Sequence, residues 1–380
     1  VLFEPSEAQR AIEALARRFA EERLRPGAGR RDREGRFPRE EIAALAELGL
    51  LAVNVPEALG GAGAGPVAYA LALAEIAWGD CAVAVTMAVT NMVGEVIARF
   101  GTGPQRERYC PGLASGALVA GAFALSEPQA GSDAASLATR ARRTASGWVL
   151  DGRKQWITSG DVAGVLVVWA RTGGEGAGGI SAFLVERGAP GLVVERHEEK
   201  MGLRASTTVS LALDGCAVPD GALLGAEGEG FRIAMAALDG GRIGIAAQAT
   251  GTIRAALEAS VRYARERRAF GVPIAEHEAI RFALADVATD HDLARLLTLR
   301  AAARKEAGAP FTREAAMAKL FASEAAQRAV TRAVQVHGGY GYTDAFPVER
   351  LFRDARVQTL YEGTSEIQRL VIARDLLRGS

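Results

Sequence analysis

Near its C-terminus the chain reads Tyr361-Glu362-Gly363-Thr364-Ser365-Glu366-Ile367-Gln368-Arg369. Ser365 followed by Gln368 has the spacing of a capping box, which predicts a helix start and puts Glu362 on the loop before it. Unpaired main-chain N–H groups at such a start attract anions, including the phosphates of a cofactor. Gly363 lets a ligand approach the backbone closely. A Tyr361 that covers Glu362 and dries its surroundings would raise the carboxyl pKa toward that of a useful general base. A solvated glutamate favouring the helix dipole accounts for the same local sequence.

Four further segments carry groups suited to a flat, polar cofactor. Residues 123–133 read FALSEPQAGSD, where Ser126, Ser132 and the Gly131 backbone could donate hydrogen bonds; an ordinary strand exit reads the same way. Residues 154–160, KQWITSG, place Trp156 and Thr158 two apart and so on one strand face. An indole beside a hydroxyl suits a heteroaromatic ring, and a core Trp with a satisfied Thr looks identical in sequence. The run Arg265–Phe270 ends a long helical stretch with guanidinium groups able to grip a pyrophosphate, or simply to favour a helix C-terminus. Residues 335–341, QVHGGYG, take a helix into a Gly turn, where Gly338 and Gly339 permit close approach or serve as a plain C-cap. His337 there reads as a capping or packing residue, and His197–Lys200 as a solvated turn.

Composition removes several function classes. The chain has 380 residues, 45 Lys+Arg against 45 Asp+Glu, and no net charge at pH 7. No basic excess exists to neutralise nucleic-acid phosphates or an anionic membrane surface. With 49% hydrophobic residues, a packed core of two or three domains is expected rather than disorder. No apolar run is expected to span a membrane, and Val1-Leu2-Phe3-Glu4-Pro5 has no signal-peptide pattern, although the chain starts without Met. Cys81, Cys110 and Cys216 form no disulfide framework, and His197, His277, His291 and His337 show no ligand spacing, so no metal is expected. Arg outnumbers Lys by 41 to 4, a bias read as GC-rich coding and a bacterial source.

The elements that must position these groups fall in three blocks. Ser6 and Gln9 form a capping box, and a helix runs from there toward Leu24, where Pro26 is expected to stop it. A second helix spans Pro38 to Leu48, residues 66–100 hold helices buried on most sides, and another follows from Gly103 to Ala114. From about Leu118 the period changes to short β-rich segments at 148–150, 165–169, 182–185 and 209–213, with Asp151-Gly152 read as a turn. From Phe231 the chain is helical again, near 231–267, 276–307, 312–337 and Ser365 to Arg378. Segregated helices, strands and helices predict an α+β fold of three domains, 1–116, 117–225 and 226–380. No GxGxxG or GxxxxGK[ST] stands between a strand and a helix, so a nucleotide must be held another way.

Taken in order, FALSEPQAGSD, KQWITSG, LDGGRIGIA (238–246), RERRAFG, QVHGGYG and YEGTSEIQR resemble the acyl-CoA dehydrogenase family over essentially the whole chain, closest to its short-chain (butyryl-CoA) type. The resemblance implies an N-terminal helical domain, a middle β-barrel-like or β-sandwich domain and a C-terminal four-helix bundle. It implies FAD, held by Phe123, Leu125, Ser126, Gly131, Ser132, Trp156, Ile157, Thr158, Thr364, Ser365 and Glu366. Arg267, Phe270, Gln335, Gly338 and Gly339 match positions that reach the FAD of a neighbouring subunit, which implies an obligate homo-oligomer, a dimer of dimers. Glu362 matches the general base that removes the α-proton of an acyl-CoA thioester while the β-hydride leaves for the flavin. Relatives that carry the base on an earlier helix have it where this chain has Gly241. Ser132, Asp239, Gly240, Arg242, Tyr361 and Gly363 match the acyl-CoA site. Glu278 and Gln129 depart from the family pattern, and no role is carried to Glu278.

By resemblance the expected activity is α,β-desaturation of a short or small branched acyl-CoA in fatty acid β-oxidation, with electrons passed to an electron-transfer flavoprotein. The expected location is the cytoplasm of a bacterium, or the mitochondrial matrix of a eukaryote. An acyl-CoA oxidase using O2 is the competing enzyme; such relatives usually carry an extra C-terminal domain, and this chain stops at Ser380. A catalytically silent assembly subunit is the non-enzymatic alternative, against which an intact Glu362 and full flavin motifs argue.

Overall fold

The computed structural model describes residues 4–377; Val1–Phe3 and the Arg378 end of the expected terminal helix lie outside the described residues. Helix α1 (Glu7–Phe19) opens on the Ser6–Gln9 capping box. Pro26 does not stop it. A π-helical turn, Ala20–Leu24, leads directly into α2 (Arg25–Glu34), so Pro26 sits in a first turn, where its missing N–H costs nothing. Next come α3 (Arg39–Glu47), α4 (Gly65–Gly79), α5 (Cys81–Phe100) and α6 (Gly103–Ala114). Asp80 separates α4 from α5 by accepting from the Ala82 N–H at 2.9 Å. Helix α5 is apolar and long enough to cross a membrane, with a mean hydropathy of 1.7, but 89% of that window is buried inside the protein. The expectation of no such run fails on this helix, and its burial makes it a core element.

The β region is one sheet of eight strands in the order β6-β7-β3-β2-β4-β5-β8, with β1 beside β4. The strands are β1 (Gly121–Ala124), β2 (Arg140–Thr144), β3 (Gly147–Thr158), β4 (Val165–Arg171), β5 (Ile180–Glu186), β6 (Leu192–His197), β7 (Thr208–Pro219) and β8 (Leu223–Leu224). No ring closure joins β6 to β8 among the described residues, so the sheet is open. It nevertheless curls over a core of its own: Trp148 of β3 and Phe183 of β5 meet edge-on at 5.3 Å although β2 and β4 separate their strands. Alternation sorts β4 and β5 between two cores. Val165, Val167 and Trp169 face the helices, whereas Leu166, Val168 and Ala170 face the sheet's own core. Asp151-Gly152 is not a turn but lies inside β3 at a register shift against β7. Gly152, at φ +153°, is needed there because a Cβ would meet Thr139 Oγ1 at 2.4 Å.

The C-terminal block consists of α7 (Gly230–Glu266), α8 (Glu278–Glu306), α9 (Thr312–His337), α10 (Val348–Arg356) and α11 (Ser365–Leu377), of which α10 has no counterpart in the sequence reading. A two-residue hairpin, β9 (Arg268–Ala269) with β10 (Val272–Pro273), follows α7. Helix α7 is the spine: it packs on α4, α5, α8 and α9 and touches β5. Trp169 fastens sheet to spine by donating its indole N–H to the Gly230 carbonyl at 2.7 Å.

Candidate active site

The turn between α10 and α11 holds Glu362. Glu362 at φ +51° and Gly363 at φ +90° are both left-handed, so a non-glycine residue bears local strain, of order 1 kcal/mol, at this point. Gly363 is required: a Cβ there would lie 2.7 Å from Gln368 Nε2. The turn is pinned from both sides. Gln368 Nε2 donates to the carbonyls of Glu362 (3.2 Å) and Gly363 (2.9 Å), and Lys319 Nζ donates to Gly363 O at 2.7 Å. The expected Ser365–Gln368 capping box does not form. Thr364 is the cap, its hydroxyl accepting from Ile367 N at 3.3 Å, and Ser365 is the first helical residue.

The Glu362 carboxylate is turned inward against α7. A Cβ on Gly241 would fall 2.0 Å from Glu362 Oε2 and 3.1 Å from Met92 Sδ, so the carboxylate occupies the room that glycine leaves. Glu362 Oε2 is buried and has no hydrogen-bond partner among the described residues. Burial lifts its pKa to about 7, with the positive charges of Lys319 and Arg242 pulling the other way. Arg242 is itself buried and paired with Asp239 at 2.6 Å, and Asp239 also accepts from the Thr312 hydroxyl at 2.6 Å. Tyr361 donates its hydroxyl to Gln248 of α7, so the phenol is anchored in the helical core rather than presented as a free polar group.

A cavity is lined by Gly241, the residue whose missing side chain makes room for this carboxylate. Its inner wall is Tyr69, Met92 and Gly241, and its outer wall includes Asn54, Glu95 and the exposed Arg99. The free volume is ≈ 20 Å³, room for about one water molecule. At the outer end, Lys305 pairs with Glu95 at 2.5 Å and Asn54 Nδ2 donates to Glu95 at 3.2 Å.

On the sheet, the structure brings the FALSEPQAGSD and KQWITSG segments together. Gln155 N donates to Ser126 O at 2.9 Å, and the fully buried Lys154 Nζ donates to Leu125 O (3.3 Å) and Glu127 Oε1 (2.7 Å). Glu127 also accepts from the Ala138 and Thr139 N–H groups, and Gln129 folds back onto it at 2.7 Å. Trp156, at φ +63° on a β-bulge, stands 59% exposed, with Thr158 half-buried two residues on. Phe123 is half-buried against Trp169 at 4.2 Å, while Ser132 and Gly131 are exposed with open space above Gly131. Leu125 and Ile157 point into the core, which leaves only their main chain for a ligand.

A second cluster lies at the far end of α7. Arg267, Gln335, Gly338 and Gly339 line one open groove, with the Arg267 guanidinium 5.8 Å from the Tyr340 ring. Phe270 sits at the tip of the β9–β10 hairpin at φ +53°, 95% exposed. His337 is packed, stacking on Tyr263 at 4.3 Å. Arg267 is 26 residues along α7 from Gly241, about 39 Å at 1.5 Å per residue.

Models of the acyl-CoA dehydrogenase N-terminal, middle and C-terminal domains match residues 6–117, 122–216 and 228–377. The chain belongs to the acyl-CoA dehydrogenase family. It is 48% identical over 375 residues to the short-chain specific acyl-CoA dehydrogenase, mitochondrial, of Bos taurus, covering 98% of this chain and 90% of the relative. Butyryl-CoA dehydrogenase from Megasphaera elsdenii superposes with a TM-score of 0.97 at 41% identity, covering all of both chains. A chain from a structure described as the electron transferring flavoprotein of Acidaminococcus fermentans superposes with a TM-score of 0.98 at 42% identity, again over all of both chains. The protein is therefore a flavin-dependent oxidoreductase with the family's three-domain fold, and its cofactor is FAD.

The residues present suit a flavin. An exposed indole on a rigid bulge, a half-buried threonine and an open serine–glycine loop offer a stacking face and hydrogen bonds without rearranging the core. Ser365 Oγ is buried without a partner at the start of α11. Two residues of the base's surroundings escaped the sequence reading. Lys319 stands inside an alanine-rich helix and Tyr69 among the apolar residues of α4, where no local pattern singles them out; the scarcity of lysine is the available signal for the first.

Proposed function

We propose that the protein is an acyl-CoA dehydrogenase that removes the α-proton of a short-chain acyl-CoA through Glu362. The observation that carries this reading is a buried carboxylate oxygen with no hydrogen-bond partner, placed beside a cavity and held at a pKa of about 7. A base of that pKa is half ionised at neutral pH, where general-base transfer is most effective. Gly241 keeps the second family position for a base vacant, and the space it leaves is filled by Glu362 itself.

The thioester carbonyl needs hydrogen-bond donors as enolate charge develops. No acceptor for the Glu362 N–H is found among the described residues, so that group is available to the carbonyl oxygen. Arg242, clamped by Asp239, and Lys319, tied to Gly363 O, supply fixed positive charge near the same point. Phe123, Ser126, Gly131, Ser132, Trp156, Thr158, Thr364, Ser365 and Glu366 would hold FAD, with Leu125 and Ile157 contributing main chain only. When bound, the flavin supplies the acceptor for the β-hydride. The short-chain specific relatives support short acyl groups, and a polar carrier arm suits the charged outer end of the cavity.

Arg267, Phe270, Gln335, Gly338 and Gly339 cluster beyond the far end of α7, too distant from Gly241 to serve the flavin beside Glu362 of their own chain. That separation supports a flavin site completed by a second copy, within a homotetramer built as a dimer of dimers. The Acidaminococcus structure supports an electron-transferring flavoprotein as the acceptor, and the short-chain relatives support a role in fatty acid β-oxidation. The division at 116/117 and 225/226 follows the change from α6 to β1 and from β8 to α7.

Anaerobic titration of the FAD-loaded protein with butyryl-CoA tests the reading. Bleaching of the flavin bands with a long-wavelength charge-transfer band is expected, and a Glu362→Gln variant should stay yellow. A yellow wild-type protein that no acyl-CoA bleaches would refute it.

A further inference from the structure

The cavity beside Glu362 has a polar end and a closed end. Arg99 is exposed at the polar end, where Glu95, Lys305 and Asn54 are tied together. At the other end Tyr69 of α4, only 4% exposed, stands across α7. A Cβ on Gly244, one helical step inward of Gly241, would come within 2.6 Å of the Tyr69 hydroxyl oxygen and 3.5 Å of Leu73 Cδ2. The phenol therefore reaches its depth only because residue 244 has no side chain. An apolar tail pressed against it would therefore meet a filled volume that ends in a hydroxyl.

We propose that Tyr69, seated on Gly244, is the stop that sets acyl-chain length, so that the site takes short acyl thioesters whose tail ends at the phenol. The inference rests on the assignment of Glu362 as the α-proton base and adds a specificity-determining pair to it. A thioester entering from the polar end places its carrier arm beside Arg99, Glu95 and Asn54 and its acyl group beside Met92 and Gly241. Any carbon beyond that reach must displace the ring.

The test compares kcat/KM for propionyl-, butyryl- and hexanoyl-CoA in the FAD-loaded enzyme with an artificial electron acceptor. In Tyr69→Ala the hexanoyl-to-butyryl ratio should rise at least tenfold, chiefly through a lower KM for hexanoyl-CoA, the scale of losing one steric stop in an apolar pocket. Tyr69→Phe, which keeps the ring, should leave that ratio within about threefold of wild type. Gly244→Ala works in the opposite sense, forcing the phenol toward the cavity, and should lower the butyryl-to-propionyl ratio; it keeps the proposal testable where Tyr69→Ala folds poorly. Unchanged ratios in Tyr69→Ala and Gly244→Ala would overturn the assignment of the stop. Absence of flavin bleaching by every acyl-CoA in the wild type would instead strike the dehydrogenase reading.

Discussion

Two of the chain's four lysines are completely buried, Lys154 in the sheet and Lys319 in α9, and their surroundings differ. Lys154 is matched by a carboxylate at 2.7 Å, and that carboxylate is further satisfied by two main-chain N–H groups. Burial pushes Glu127 upward, but the Lys154 charge and these hydrogen bonds outweigh it and hold the group ionised. Lys319 instead donates to a main-chain carbonyl, and the Glu362 carboxylate near it has an oxygen without any hydrogen bond. Burial pulls both lysines down to about 8, so the contrast lies in their carboxylates: Glu127 is held below its ordinary value, whereas burial lifts Glu362 to about 7. A buried charge with all its bonds made is scaffold, here fixing the strand that carries Trp156 to the loop that carries Ser126. A buried charge left short of bonds is poised to change protonation, which is what proton abstraction requires.

Breaking the reactive side gives the largest effect. Glu362→Gln should lower kcat by about 10²–10⁴-fold, the usual worth of a positioned general base, while flavin binding survives. The same variant carries a stability signature. A carboxyl whose folded pKa is raised stabilises the fold only at low pH, and that contribution is lost as pH climbs through about 7. Relative to wild type, Glu362→Gln should therefore gain stability between pH 5 and pH 8, by roughly 1–3 kcal/mol, in urea unfolding at the two pH values. A gain that does not depend on pH would mean the carboxyl is not held neutral by burial.

Breaking the scaffold side should cost stability and cofactor together. Lys154→Met leaves Glu127 buried and uncompensated, a loss of about 3–5 kcal/mol. Its flavin should dissociate more readily, because the Leu125 carbonyl and Glu127 lose the tie to β3. Denaturant midpoints and FAD retention on gel filtration measure both. A variant as stable as wild type with full flavin would show that the pair is not what joins the two flavin segments.

Gly241→Ala sharpens the contrast without touching a charge. The new Cβ must displace the Glu362 carboxylate from a position only 2.0 Å away. A shift of this size at a reacting group should lower kcat by roughly 10–100-fold with little change in unfolding midpoint. Equal activity would place the working carboxylate elsewhere.

How much of this was legible before the structure follows from the range of the interactions. Capping at Ser6, the burial of α4 and α5, and the change from helical to strand period are local signals, and all three appear as expected. Pro26 misled because a π-helical turn can absorb a missing N–H, a rearrangement that no single-residue rule registers. Asp151-Gly152 misleads because its glycine serves a close approach to Thr139, thirteen residues away, rather than a chain reversal. The capping position at α11 slipped by one residue because Gln368 bonds to carbonyls of the preceding turn. Glu362 itself was marked by its glycine and by the order of motifs around it. Lys319 and Tyr69 reach the site from helices 43 and more residues distant, and only tertiary packing reveals them.

The finest test separates the electrostatic from the structural role of Lys319. In Lys319→Met the Gly363 carbonyl keeps its bond from Gln368 at 2.9 Å, so the turn that carries Glu362 retains an anchor. What disappears is a positive charge that holds the Glu362 pKa down. The base should then ionise at higher pH, moving the acidic limb of the kcat profile upward by up to about one unit, the lower end for loss of a nearby opposite charge. Activity at pH 6 should fall by up to about tenfold, and the two profiles should converge above pH 8, where Lys319 of the wild type has itself lost its proton. An unmoved limb accompanied by a lower denaturant midpoint would make Lys319 a second Lys154: a scaffold charge that happens to stand near the base.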